Sequence, residues 1–189
     1  MELAFSLVPV AISGLVEQAV LAVEERVRSR GQVLTVQLPE HEVRVRVDAQ
    51  RLGQALVNLL DNASKYTPDG GRLGLLVEPE PEACVVRVWD EGIGIAADEI
   101  ERIRSMFTQG QGLPGRERSG MGIGLALAGR IVELHGGTLE IVSRDQGRPL
   151  GTEIVVRLRR ELAPSTRRPS TAPHAMARTT QRILVVDGS

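Results

Sequence analysis

Apolar residues between Ile12 and Val27 recur at steps of three and four: Ile12, Leu15, Val16, Ala19, Val20, Val23 and Val27. That spacing is the period of an amphipathic helix, and the helix should end near Gly31. Two stretches that alternate or nearly alternate follow, "VLTVQL" (33–38) and "EVRVRV" (42–47), which read as strands joined through Pro39 and His41 in a hairpin. Asp48 can then cap a helix from about Gln50 to Tyr66, whose apolar stripe is Leu52, Ala55, Leu56, Leu59, Leu60 and Ala63. The turn "TPDGG" leads to a strand "RLGLLVE", and a second turn through "PEPE" leads to a strand "ACVVRVWD". Beyond it come a short helical segment "ADEIERIRSMF", a polar, Gly-rich stretch from Thr108 to Ser119, and a helix from about Gly122 to His135. Two final strands follow, "TLEIVS" and "GTEIVVRL". Helices and strands are partly segregated along the chain, which is an α+β pattern.

From Glu161 to Gln181 the apolar period is lost. "ELAPSTRRPSTAPHAMARTTQ" is built from Pro, Ser, Thr and Arg, the composition of a linker. The chain then turns abruptly apolar in "RILVVDGS". The expected organisation is one domain over 1–160, a linker over 161–181 and a short tail over 182–189. The N-terminal run is apolar, but it lacks a basic leading segment, and Glu2, Glu17 and Gln18 interrupt it, so neither a signal peptide nor a membrane span is expected.

Composition adds exclusions. The 189 residues carry 23 basic and 24 acidic side chains, a formal net charge of -1, so no overall field attracts nucleic acid or an anionic membrane. The lone Cys84, inside the apolar run "ACVVRVW", has no partner for an internal disulfide and reads as a core residue. That usage fits a reducing compartment and a chain of cytoplasmic character.

Candidate chemistry sits in three places. In "VNLLDNASKYTP" (57–68), Asn58 and Asn62 lie one turn apart on the flank of the apolar stripe, with Lys65 beside them. Two amide oxygens so placed suit a hard cation and its phosphate ligands, while Lys65 offers a compact charge to phosphate. A solvated face with an Asp61–Lys65 pair would show the same spacing. Lys65 is the only lysine among the 23 basic residues.

The second place is "VWDEGIGI" (88–95), where a strand ends in Asp90 and breaks into Gly92 and Gly94. A carboxylate there can accept a hydrogen bond from an exocyclic amine, beside backbone able to approach a flat ligand. "GIGIAA" also satisfies the dinucleotide fingerprint, but the second strand ending in an acid about twenty residues on is replaced by "TQGQGLPGRERSG". The third place is "SGMGIGLALAGRIVELHGG" (119–137), in which Gly120, Gly122 and Gly124 lead into a helix. Such a helix start presents free N–H groups and a positive dipole end to an anion, and no Gly-Lys-Ser/Thr follows to make it a Walker A loop.

An Asn row on a helix, a strand-end D-x-G-x-G, then a polar stretch and G-x-G-x-G resembles, in that order, the Bergerat-type nucleotide-binding fold, and within it the catalytic domain of sensor histidine kinases. The resemblance covers roughly residues 5–160. "NLLDNASKYT" is similar to that family's N box, "DEGIGI" to its first glycine box, "GMGIGLALAGRIVELHGGTL" to its second, and Gly151–Thr152 to the small glycine motif before the last strand. The resemblance implies a two-layer α/β sandwich: a mixed, mostly antiparallel sheet covered on one face by about three helices. It implies ATP and Mg²⁺ as ligands. Asn62 would ligate Mg²⁺ with Asn58 in support, and Lys65 and Tyr66 would lie near the phosphates and ribose. Asp90 would accept from the adenine amino group, with Gly92, Gly94 and Ile95 shaping the purine slot. Thr108–Ser119 would be a lid, and Gly120, Gly122 and Gly124 its phosphate-facing hinge, with Met121, Ile123, Leu125 and Thr152 among the nucleotide-binding residues. "MFTQG" is similar to the end of the phenylalanine-rich box, so Phe107 matches, while Arg104 stands where the first phenylalanine often is.

Gyrase-type relatives that hydrolyse ATP resemble one another in a glutamate base four residues before the magnesium asparagine, and here that residue is Asn58. The resemblance therefore implies phosphoryl transfer to a protein side chain rather than to water. In the family the acceptor is a histidine on a separate dimerisation hairpin, and a response regulator acts downstream. His41 precedes a strand-like run, His135 ends a helix before two glycines, and His174 lies in the linker, so none fits the acceptor role. "RILVVDG" resembles the first strand of a receiver domain. A nucleotide-binding scaffold without transfer and a serine kinase of the anti-sigma-factor type are the other readings the motifs allow.

Overall fold

A computed structural model describes residues 6–96, 98–103, 122–144, 151–161 and 181–186. The elements are β1 (Val8–Ala11), α1 (Ile12–Ser29), β2 (Val33–Pro39), β3 (Arg44–Val47), α2 (Ala49–Tyr66), β4 (Arg72–Pro79), β5 (Ala83–Asp90), α3 (Gly122–Leu134), β6 (Thr138–Arg144), β7 (Gly151–Arg159) and β8 (Gln181–Val186). A short helical segment occupies 98–103. The stripes expected of the first two helices are the buried ones: Ile12 to Val27 on α1 and Leu52 to Ala63 on α2. Among the described residues no helix is long and apolar enough to cross a membrane.

Six strands form one sheet in the order β6-β7-β5-β4-β2-β8. Only β2 and β4 run parallel; the other four pairings are antiparallel. In the helical layer α2 packs against both α1 and α3, and all three helices reach the sheet. The architecture is the expected two-layer α+β sandwich. Its cohesion follows from alternation: Leu34 and Val36 on β2, Leu73 and Leu75 on β4, Val86 and Val88 on β5 and Ile154 and Val156 on β7 are all buried and in register. Each such side chain contributes roughly 1.5–3 kcal/mol on leaving water.

The expected hairpin of 33–38 with 42–47 does not form. Strand β2 pairs with β4 and β8, while β3 pairs antiparallel with β1 in a separate two-stranded sheet, Val8 opposite Val47 and Val10 opposite Val45. Alternation in "EVRVRV" specifies a strand with one buried face, and Val43, Val45 and Val47 are indeed buried, but it does not specify which edge the strand joins. Strand β1, unmarked by any period, is the partner that supplies it. At the far end, the tail segment Gln181–Val186 lies antiparallel on β2 and covers that edge of the sheet. Glu161, the first residue of the compositional linker, belongs to the fold: its N–H donates to the Arg44 carbonyl at 2.8 Å and its carboxylate takes two bonds from Arg46.

Candidate functional site

The inward row of β5 runs Cys84, Val86, Val88 and then Asp90; that of β7 runs Leu158, Val156, Ile154 and then Thr152. At one end, therefore, an apolar sheet face becomes polar. Over that end lies the last turn of α2, and between the layers is a hollow open to solvent. Asn62 and Tyr66 line it from α2, Asp90, Gly94 and Ile95 from the end of β5, Leu125 from α3, and Thr152 from β7. Leu59, Ala63, Val88 and Ile154 complete its walls. These four were unmarked as site residues because their spacing is that of the core they also belong to.

Asp90 is only 7% exposed. Its Oδ1 accepts the backbone N–H of Gly92 at 2.8 Å and that of Thr152 at 3.3 Å, which fixes the carboxylate at the rim of the sheet. Close backbone approach makes this possible. A Cβ on Gly92 would collide with the Tyr66 carbonyl, and one on Gly151 with the carbonyl of Asp90, so both positions need a residue without a side chain. The neighbouring Glu91 is held by two bonds from Arg72, at 3.0 and 2.7 Å.

Other expected residues stand around the hollow rather than in its lining. A Cβ on Gly124 would lie 3.4 Å from the Asn62 amide nitrogen, so the start of α3 abuts that amide. Asn58 accepts at Oδ1 from the Gln54 amide at 3.1 Å, one turn away along α2. Lys65 is exposed, with Nζ 5.2 Å from the centre of the Tyr66 ring, within cation–π range. The Tyr66 hydroxyl is buried and has no hydrogen-bond partner among the described residues. Gly122 and Ile123 open the backbone of α3. Gly120 and Met121 lie outside the described residues, as do Arg104, Phe107, Thr108–Ser119 and His174.

A carboxylate and an amide on opposite walls of an apolar slot, beside a glycine-led helix start, match a known family. Residues 47–162 fit the profile of the histidine kinase-, DNA gyrase B-, and HSP90-like ATPases. The chain belongs to that family. This ATPase domain is 36% identical over 114 residues to the sensor protein KdpD of Clostridium acetobutylicum, covering 60% of this chain and 13% of that protein. It is 36% identical over 136 residues to the histidine protein kinase DivJ of Caulobacter vibrioides, covering 72% of this chain and 22% of that protein. The chain thus spans less than a quarter of the length of either. Among solved structures, the mycobacterial sensor histidine kinase MprB superposes with a TM-score of 0.66 at 30% identity, over 82% of this chain and 97% of that one. Full-length ShkA in complex with AMPPNP superposes with a TM-score of 0.67 at 26% identity, over 87% of this chain and 33% of that one. The ATPase domain here is therefore of the histidine-kinase type, and its fold is that of histidine kinase catalytic domains.

Proposed function

We propose that this domain binds Mg²⁺-ATP in the hollow and donates the γ-phosphate to a histidine on a separate dimerisation and phosphoacceptor domain, from which a response regulator would take it. One observation carries the reading: Asn62 and Asp90, 28 residues apart in sequence, line a single hollow at the polar end of an apolar core. The slot is lined mainly by apolar side chains, and Asp90, held by two N–H groups, would accept from the adenine amino group. The unpartnered Tyr66 hydroxyl is the kind of buried polar atom that a ligand satisfies. Among the described residues there is no cluster of three or more His, Cys, Asp or Glu able to cage a metal. A divalent ion here would therefore be held through phosphate oxygens together with the Asn62 amide, with Asn58 in support and the ammonium of Lys65 facing the phosphates. The ion's contribution would be charge neutralisation on the polyphosphate.

The chain's own part in the transfer is positioning. Asn58 stands where a hydrolytic relative has a glutamate, so that position offers no carboxylate to activate water, and the neighbouring Asp61 is paired with Arg26 at 3.0 Å. The P–O bond to the β-phosphate would break as a P–N bond to an acceptor imidazole forms. The AMPPNP bound to ShkA supports the nucleotide half of the proposal.

The test is thermal unfolding with and without Mg²⁺-ADP. At 100 times its dissociation constant the nucleotide stabilises the fold by about 2.7 kcal/mol. Asn62→Ala weakens the Mg²⁺-dependent part, and Asp90→Ala removes the preference for adenine over guanine nucleotides. With γ-labelled ATP the isolated chain stays unlabelled while a cognate acceptor hairpin gains acid-labile label. Equal stabilisation of wild type and both variants sinks the reading.

A further inference from the structure

The connection between α1 and β2 does not touch the hollow, yet it holds the end of the helix that forms one wall of it. Gly31 follows α1 at φ 58°, and the N–H groups of Gly31 and Gln32 return to the carbonyls of Arg28 and Val27, each at 3.0 Å. This paired return is a Schellman ending, which needs a left-handed residue and so favours glycine. It delivers Gln32, wholly buried, beneath the last turn of α2.

There Gln32 meets carbonyls at and just beyond the end of α2. The Ser64 carbonyl would be met four residues on by position 68, a proline with no N–H. Gln32 Nε2 instead donates to the carbonyls of Ser64 and Thr67, both at 2.9 Å, and of Pro68 at 3.2 Å. Its Oε1 accepts from the Ser64 hydroxyl at 2.7 Å. Arg30 adds bonds from Nη1 to the carbonyls of Ser64 and Lys65, and from Nε to Asp69 at 2.8 Å. On the opposite side of the same turn the Tyr66 carbonyl abuts Gly92, whose N–H holds the carboxylate of Asp90. A continuous path of contacts thus joins Gln32 to both walls of the hollow.

We propose that Gln32, assisted by Arg30, is a positioning residue for nucleotide binding: by fixing the carbonyls at the end of α2 it sets where Asn62 and Tyr66 stand relative to Asp90. The proposal rests on the nucleotide site argued above. A purely structural Gln32 would stabilise the fold without tuning the site, and the two roles separate experimentally. Gln32→Met keeps the side-chain volume and removes all four bonds, while Val23→Ala on α1 destabilises the same layer away from the hollow.

Isothermal calorimetry with Mg²⁺-ADP is expected to show Gln32→Met binding about tenfold or more weaker, the scale typical of lost supporting contacts. Val23→Ala is expected to bind as wild type. In the nucleotide-free protein the amide resonances of Gly92 and Thr152 shift in Gln32→Met and stay put in Val23→Ala. Should Gln32→Met not fold, Ser64→Ala, which removes only the hydroxyl donated to Oε1, is expected to weaken Mg²⁺-ADP binding and move the same two resonances. Lowered melting temperatures with wild-type affinity and unmoved resonances overturn the positioning role. A wild-type chain that fails to bind Mg²⁺-ADP overturns the site reading instead.

Discussion

The backbone N–H of Asp48 donates to Nε2 of His135 at 2.9 Å, joining the start of α2 to the end of α3. The other ring nitrogen, Nδ1, lies 2.6 Å from the Ile131 carbonyl. A ring nitrogen that meets a carbonyl carries the proton and one that meets an N–H does not, so His135 is the neutral Nδ1–H tautomer. Its role is to brace two helices that both border the hollow, in keeping with a structural histidine. His135→Ala leaves the Asp48 N–H unpaired in a half-buried place and is expected to lower stability by roughly 1–3 kcal/mol. Urea unfolding measures the loss, and nitrogen chemical shifts of the wild-type ring check the tautomer. Protonation on Nε2 in the native state would contradict the assignment.

Asp48 itself caps α2. Its Oδ1 accepts from the Arg51 N–H at 3.1 Å and Oδ2 from the Ser6 N–H at 3.3 Å. The Arg51 N–H does most to hold this carboxyl below the usual range, Ser6 adding to it and partial burial opposing. A depressed folded value favours the ionised side chain in the native state. Its contribution is therefore complete above the unfolded value of about 3.9 and drains away as pH falls through the lower folded one. Asp48→Ala is expected to cost about 1 kcal/mol at neutral pH. The gap between variant and wild type narrows only in acid, below about pH 4. A gap independent of pH would show that the charge plays no part in the cap.

Two glycines make opposite predictions. Gly53 lies inside α2, and a Cβ there would meet nothing within 4 Å, so Gly53→Ala gains helix propensity without a clash. It is expected to stabilise by roughly 0.5–1 kcal/mol. Gly151→Ala drives a Cβ into the carbonyl of Asp90 and is expected to cost roughly 1–3 kcal/mol. Because the strained residue is Asp90, nucleotide affinity should fall with it. Calorimetric melting of both variants decides the matter, and similar signs for the two would be a failure.

Much of this fold was legible, and the exceptions have one physical origin. The periods of α1 and α2 appear in sequence because each helix buries a single stripe. The partner of β3 does not appear, because a strand's alternation records its faces and not its edges. The same limit applies at the site. The row of Asn58, Asn62 and Lys65 gave the flank of α2 but not its depth: Asn62 lines the hollow, while Asn58 and Lys65 stand beside it. Gly92 carries a close approach rather than a lining surface. Gln32 left no trace in "GQVLTV", since its partners are carbonyls, which every residue possesses.

Cys84 gives a last prediction, because its surroundings decide its chemistry. It is wholly buried on the inward face of β5, and burial pushes its thiol up to about 12, with the charge of Arg160 opposing. At pH 8 only about one thiol in ten thousand would be ionised, and the thiolate is the nucleophile. The folded chain should stay silent toward a disulfide reagent at that pH, and react promptly once urea unfolds it. The linkage runs opposite to that of Asp48. With the folded value raised, the neutral thiol's contribution is complete below the unfolded value of about 8.5 and is lost as pH climbs from there toward the folded one. Cys84→Ala should therefore remove part of the alkaline loss of stability while lowering stability at neutral pH through the lost packing. Prompt labelling of the native protein would mean that the inward face of β5 opens to solvent, which is incompatible with the core described here.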